Sequence, residues 1–378
     1  MLHFGRQEFD DRLARTRAEM ARRGLDALLV FAPESQFWLT GYDTFGYCFF
    51  QCLLISEQAP VLLTRSADLR QAELTSTISD IRIWRDREGA DPSLDLAGVI
   101  KDLGLGGKRI GWETATHGLT HANGQRVGAR IEGLIEASDL VPALRLIKSP
   151  AEQAYVREAA RLGDLAWDAG LAETQAGAEE GNILAAMQGA VFAGGGDYAG
   201  NEFIIGSGPY ALLCRYQSGR RTLAQTDQIT FEWAGVAKRY HAALMKTVVI
   251  GEPQQRHIEM QAAAEAALLA CEGALQPGQT LGAVFSAHAD TLDQHGMAQH
   301  RLNACGYSLG ARFSPSWMDE SMIFENAATV IRPGMVLFLH MILMDSESGT
   351  AMCLGRTSLI AESGPEVLSR MPLELVCR

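Results

Sequence analysis

Phe9, Leu13, Met20 and Leu25 recur at helical spacing between acidic and basic residues, so the chain opens with an amphipathic helix that Gly24 ends. The unbroken apolar run Ala27 to Phe31 then reads as a buried strand. Trp38-Leu39-Thr40-Gly41-Tyr42-Asp43 reads as a tight connection into the apolar segment Cys48 to Ile55, and Pro60 to Leu63 continues as a strand. A helix from about Ser66, a strand at Ile81 to Trp84 and an amphipathic helix from Leu94 to Leu103 follow. Strands alternating with helices predict an α/β layer. Gly104-Leu105-Gly106-Gly107-Lys108 lacks the Lys-Ser/Thr ending of a phosphate loop and precedes a strand, Arg109 to Trp112, instead of opening a helix. It reads as a helix-stop turn.

A new unit begins where Ser149 offers an N-cap, Pro150 a first-turn proline and Glu152 a first-turn acid, just ahead of a long helix running to about Thr174. The expected domains are residues 1–145 and 146–378. A second helix near Asn182 to Val191 ends in Ala193-Gly194-Gly195-Gly196-Asp197, a turn where backbone comes close to something. The pattern then turns to strands at Phe203 to Ile205, Leu212 to Tyr216, Gln228 to Ala234 and Leu244 to Ile250. Pro253 to Gly273 and Leu281 to His295 read as helices, and Val336 to Met344 and Thr357 to Ala361 as apolar strands. Helix pair, sheet half, helix pair and second sheet half predict a pseudo-repeated α+β sandwich.

The chain has 378 residues, beyond the size at which one core usually stops growing, which agrees with two domains. A hydrophobic fraction of 47% and a mean hydropathy of -0.01 exclude disorder over any long stretch. The net charge of -12 excludes a nucleic-acid partner, because phosphate binding needs clustered Lys and Arg, and Arg220-Arg221 is the densest basic spot in the second half. Seven cysteines without a C-x-x-C pair read as reduced thiols of a cytoplasmic protein. The start Met1 to Arg6 has neither the basic-then-apolar order of a signal peptide nor the length of a membrane span. Met335 to Met344, the longest apolar run of the second half, is broken by His340 and is too short to cross a bilayer.

Several motifs carry a family resemblance. Trp38 to Tyr42 and Gly107-Lys108-Arg109-Ile110-Gly111-Trp112-Glu113 resemble a creatinase amino-terminal domain, and Arg145-Leu146-Ile147-Lys148-Ser149 with Glu152 resembles the junction that follows it. Ser207-Gly208-Pro209, Gly306-Tyr307-Ser308-Leu309-Gly310 and Pro333-Gly334-Met335-Val336 are similar to segments of the pita-bread catalytic domain. Over essentially its whole length the chain thus resembles the creatinase/aminopeptidase P/prolidase superfamily. The resemblance implies an α+β fold: a smaller α/β creatinase-type domain ahead of a pita-bread catalytic domain. Most members hold two metal ions with two aspartates, a histidine and two glutamates. Here the matching positions read Glu232, Ala243, Tyr307, His340 and Gly355, and one carboxylate out of five implies an enzyme with no metal and no other cofactor. Phe231-Glu232-Trp233-Ala234-Gly235 with Arg239-Tyr240-His241, Lys246-Thr247 and Pro315-Ser316-Trp317 looks like the metal-free ectoine hydrolases, in which a glutamate of this segment is implicated as a covalent nucleophile. The metal-free groups carry a histidine a few residues after the Ser-Gly segment, and this chain has Arg215 there. The resemblance also implies a homodimer in which the amino-terminal domain of one chain covers the pocket of the other.

Seven residues are the candidate site. Glu232 lies in an apolar strand, where a carboxylate is costly unless paired or used; it reads as the nucleophile or as the activator of water, or else as a buried partner of Arg215 or Lys246. His241 is the candidate proton shuttle and Tyr240 a candidate donor to developing negative charge. Arg215 suits a bidentate grip on a substrate carboxylate and cannot act as a base. Tyr307 and Trp317 offer aromatic faces to an amidinium, and His340 lies at a former metal position pointing inward. The expected activity is metal-independent hydrolysis of a carbon–nitrogen bond in a small carboxylate-bearing amidine, guanidine or amide. An Xaa-Pro peptidase and a catalytically silent small-molecule-binding protein remain as alternatives.

Overall fold

The computed structural model describes residues 2–216 and 219–378. It divides into two compact units, Met1–Arg145 and Leu146–Arg378.

In the first unit the strands β1 (Ala27–Val30), β2 (Cys52–Ile55), β3 (Val61–Arg65), β4 (Asp80–Trp84), β5 (Ile110–Trp112) and β6 (Leu134–Glu136) form a sheet in the order β4-β3-β2-β1-β5-β6. The helices are α1 (Arg6–Arg22), α2 (Pro33–Thr40), α3 (Leu69–Thr75), α4 (Pro92–Asp102), α5 (His121–Arg130) and α6 (Leu140–Arg145). Central β1 is apolar throughout because both of its faces are covered: Ala27 and Leu29 join one core cluster, Leu28 and Val30 another. The tight connection expected at Trp38 to Asp43 is instead the end of α2, capped by Gly41 in the left-handed region at φ 83. Every residue of α2 is buried, so it shows no polar face to betray a helix.

The second unit opens with α7 (Pro150–Glu173), whose Ser149 and Glu152 form a reciprocal capping box, and α8 (Glu180–Ala193). The strands are β7 (Ile204–Ser207), β8 (Asp227–Ala237), β9 (Tyr240–Ile250), β10 (Ala304–Ser308), β11 (Met322–Phe324), β12 (Val336–Asp345), β13 (Thr350–Ala361), β14 (Gly364–Val367) and β15 (Val376–Cys377), with α9 (Gln255–Ala274) and α10 (Leu281–Gln294) between β9 and β10. They make one sheet in the order β11-β10-β12-β13-β9-β8-β7, with β14 on β13 and β15 parallel to β9. α7 packs against β8 and β9 and α9 against β12 and β13, while α8 meets β7 and α10 meets β10 and β11. The approach of α7 is close: a Cβ on Gly235 would stand 1.8 Å from Ala159 O, while the Trp233 indole stacks on Trp167 and donates to Gly163 O at 2.8 Å. The helix-facing side of β8 is therefore packing surface, and chemistry falls to the other side.

Two expectations are corrected here. Leu212 to Tyr216 is no strand: after Ser207 the chain enters a 3-10 turn, Gly208–Leu212, with Gly208 at φ 55, and leaves the sheet. Tyr210 O folds back so near Gly206 that a Cβ there would lie 2.5 Å away. Arg215 thus rides on a loop. The strands expected to end at Ala234 and restart at Leu244 instead run on to a two-residue hairpin at Lys238 and Arg239, both in the left-handed region. Among the described residues all seven cysteines are free, and no helix is long and apolar enough to cross a membrane.

Candidate active site

Strand register decides which side chains share a face. Glu232 pairs with Met245, Met245 with Gly355, and Gly355 with His340, so these four form a row across β8, β9, β13 and β12. In the next row Ala234 pairs with Ala243, the Thr357 hydroxyl donates to Ala243 O at 2.8 Å, Thr357 pairs with Phe338, and Phe338 with Tyr307. Positions 232, 243, 307, 340 and 355 therefore share one face of the sheet, in two neighbouring rows. That face is the side away from α7.

Over this face lies a cavity of about 770 Å³ that Glu232, Arg215, Tyr307, Trp317 and His340 all line. Burial pushes the Glu232 carboxyl up to about 7, against the opposing pull of the Arg215 guanidinium and the Tyr307 hydroxyl. The Trp317 indole donates to the Tyr307 oxygen at 2.9 Å, which leaves the phenol's own proton directed at Glu232 Oε1, 3.5 Å away. Burial and the neighbouring Glu232 charge hold the Tyr307 hydroxyl well above its ordinary range. The His340 ring leans on Phe338 and Tyr307, with centroids 5.7 and 5.8 Å away, and burial takes its imidazole down to about 3. Its Nδ1 finds no hydrogen-bond partner. A neutral imidazole of this kind holds or donates hydrogen bonds and is a poor base at neutral pH.

Neither His241, whose ring centroid lies 6.5 Å from that of Trp317, nor Tyr240 lines this cavity, and the geometry lends their expected catalytic roles no support. Tyr240 alternates to the helix-facing side of β9, where its hydroxyl donates to Glu152 Oε1 at 2.6 Å and ties the start of α7 to the sheet. His241 shares the face of Glu232 but pairs with Val236, four residues further along, roughly 13 Å at strand rise. Its ring is fully engaged. The Gly200 N–H donates to Nε2 at 2.9 Å, which leaves Nδ1 to donate to Gly310 O at 3.3 Å, and burial holds the imidazole down to about 4. Lys246 is no partner of Glu232 either, because it points to the opposite face and donates to the carbonyls of Pro372, Leu373 and Glu374.

The cavity also takes in residues outside the seven expected at the site, among them Cys214, Asn201, Arg220 and Glu202, which the sequence offers as an alternative partner of Arg215. Arg220 belonged to the basic pair already noticed, but its neighbour takes a different task. Arg221 pairs with Asp227 and donates to the Ser207 hydroxyl, while buried Glu180 accepts from Ser207 N, Ser207 Oγ and Arg220 N. This network pins both ends of the loop that presents Arg215 and Arg220.

Residues 154–361 match metallopeptidase family M24, and residues 12–147 match the creatinase/prolidase N-terminal domain. The chain belongs to metallopeptidase family M24. This M24 chain is 28% identical to the ectoine hydrolase of Halomonas elongata over 402 residues, covering 99% of this chain and 98% of that protein. It is 23% identical to the Xaa-Pro dipeptidase of Pyrococcus horikoshii, covering 94% of this chain and 96% of that one. The solved structure of a prolidase from Thermococcus sibiricus superposes with a TM-score of 0.89 at 17% identity, over 99% of this chain and 100% of that chain. The fold is a creatinase N-terminal domain followed by an M24 pita-bread domain.

An M24 metallopeptidase implies bound metal, and the side chains here do not fit a metal pair. Among the described residues no group of three or more His, Cys, Asp or Glu converges to hold an ion. Of the five positions that the resemblance matches to metal ligands, Ala243 and Gly355 carry no donor at all. Space is lost as well as chemistry: a Cβ on Gly355 would stand 2.6 Å from Leu339 O and 3.1 Å from Phe338 Cε2.

Proposed function

We propose that this M24 chain is a metal-independent hydrolase that opens a carbon–nitrogen bond in a small, carboxylate-bearing amidine, guanidine or amide, with ectoine-like cyclic amidines as the first substrates to test. The observation that carries this reading is the Glu232 carboxyl, poised near neutrality in a cavity shared with the Arg215 guanidinium, and the one carboxylate among the five positions that the resemblance matches to metal ligands. Arg215 grips the substrate carboxylate. Glu232 takes a proton from water as the water oxygen adds to the electrophilic carbon, then returns it to the leaving nitrogen as the carbon–nitrogen bond breaks. A carboxyl near pH 7 suits both halves of that transfer, and neither His241 nor His340 is placed or charged to share it. Tyr307 and Trp317 offer their faces to the amidinium. The working form in this proposal is a homodimer, and a monomeric mass in sedimentation would argue against it.

Metal analysis and turnover of ectoine, creatine and prolyl dipeptides, before and after dialysis against a chelator, test the reading. Turnover of an amidine or guanidine acid that survives chelation is the expected result. Stoichiometric Mn, Zn, Co or Fe with chelator-sensitive cleavage of prolyl dipeptides sinks it in favour of an Xaa-Pro dipeptidase. Binding of these small acids without turnover points instead to a silent binding protein.

The pH profile provides a second check. Glu232 works ionised, so kcat/KM rises with pH through about 7. Tyr307→Phe removes a donor to the ionised carboxylate and raises its pKa further. The acidic limb then moves up by roughly half to one on the pH scale, and a limb that stays in place removes Tyr307 from this role.

A further inference from the structure

The cavity over Glu232 has a side chamber. A second space of about 210 Å³ adjoins it, and Gln188, Asn201, Glu202, Phe203 and Pro315 belong to both walls. Asn201 is fixed at this junction by accepting the Trp317 N–H at 3.1 Å, so the partition is tied to the aromatic wall of the main cavity. Phe192 and Tyr198 lie on the far side, their rings meeting edge to face with centroids 4.8 Å apart. The chamber differs from its neighbour in charge. Among the described residues its charged lining is Asp197 and Glu202, both acidic, whereas the main cavity sets Arg215 and Arg220 beside Glu232 and the shared Glu202. Asp197 is held in place by accepting the Arg239 backbone N–H at 3.1 Å, and Glu202 stands at the mouth between the two spaces.

We propose that this chamber is a subsite for the cationic end of the substrate, an ammonium or guanidinium carried beyond the scissile bond. The inference rests on the proposed function, in which Arg215 holds the carboxylate at the other end. The joined spaces suit a dipolar molecule: an anion against the arginines of the main cavity, and a cation beside two carboxylates and the exposed Phe192–Tyr198 ring pair. A volume near 210 Å³ equals that of about seven liquid waters, room for an ammonium on a few methylenes and too little for a folded peptide. The substrate class narrows accordingly, from any small carboxylate-bearing amide or amidine to one that also bears a remote positive charge.

Calorimetric binding of Nα-acetyl-lysine and Nα-acetylnorleucine to the full chain isolates the subsite, because the second acid keeps the four-carbon side chain and lacks only the terminal ammonium. The lysine derivative is expected to bind about fivefold tighter, the scale of one partly exposed ion pair with a cation–π contact. Glu202→Gln and Tyr198→Ala each bring the ratio toward one. Equal affinities for the native chain, or a preference that neither variant moves, overturns the subsite. Arg215→Ala separates this result from the reading beneath it. If that variant leaves both affinities unchanged while the lysine preference persists, the carboxylate grip fails and the side chamber stands; if the native chain binds neither acid, both are overturned.

Discussion

Glu232→Gln lowers kcat by about a thousandfold or more while leaving a folded protein that melts no lower than the native one above neutral pH. The first half follows from the cavity, where Glu232 is the carboxyl held near neutral pH while burial takes His340 down to about 3. The second follows from linkage. In the folded chain burial raises the Glu232 carboxyl from an ordinary 4.5 to about 7, so the fold favours the protonated form. That contribution to stability is complete below pH 4.5 and is lost as pH rises through 7. Gln cannot ionise and escapes the loss. The variant's advantage therefore opens between pH 5 and pH 8, to at most about 3 kcal/mol, reduced by the attraction to Arg215 that it forgoes. Thermal scans at the two pH values, beside single-turnover rates, test both halves. Full activity in the variant would take Glu232 out of the mechanism.

Lys246→Met, by contrast, should leave the chemistry alone and weaken the fold. Its ammonium, fully buried on the helix-facing side of β9, donates to Pro372 O and Leu373 O at 2.9 Å and to Glu374 O at 2.7 Å. Those three carbonyls hold the segment that leads into β15, whose end is tied by Gly251 N donating to Arg378 O. Met keeps the bulk and removes the donors. Losing these three charge-assisted hydrogen bonds costs about 3 kcal/mol in all, and the melting temperature falls by roughly 10 °C. Residues 371–378 become the first site of proteolysis. A melting temperature that does not change would mean that water replaces the ammonium at no cost.

The parts of this fold that show in the sequence are those with local chemical punctuation. Ser149, Pro150 and Glu152 announce the start of α7 because an N-cap, a first-turn proline and a reciprocal glutamate each satisfy a backbone group at that end. The β8–β9 turn has no such mark. Lys238 and Arg239 adopt left-handed geometry without glycine or asparagine, and so the strands were cut short on both sides of it. With the turn unplaced, the parity of Tyr240 and His241 could not be read, and nearness in sequence to Glu232 stood in for nearness in space. Register reverses that: Tyr240 belongs to the packing face, and His241 lies a strand's half-length away. Arg215 shares the cavity of Glu232 although its segment is a loop and not the expected strand, because the charge depends on residue type and the conformation on the Gly208-Pro209 turn. Asn201 and Glu202 lie between elements, where no periodicity singles them out.

Gly355 bears on how such a site can change over generations. Its missing side chain lets β12 and β13 close up until Leu339 O and the Phe338 ring occupy the volume a ligand there would use. A lone carboxylate introduced at this position meets an immediate steric penalty and makes no ion site by itself, since Ala243 offers no donor beside it. The close-packed strand pair therefore leaves variation free to explore the walls around Glu232 while it holds position 355 to the smallest residue.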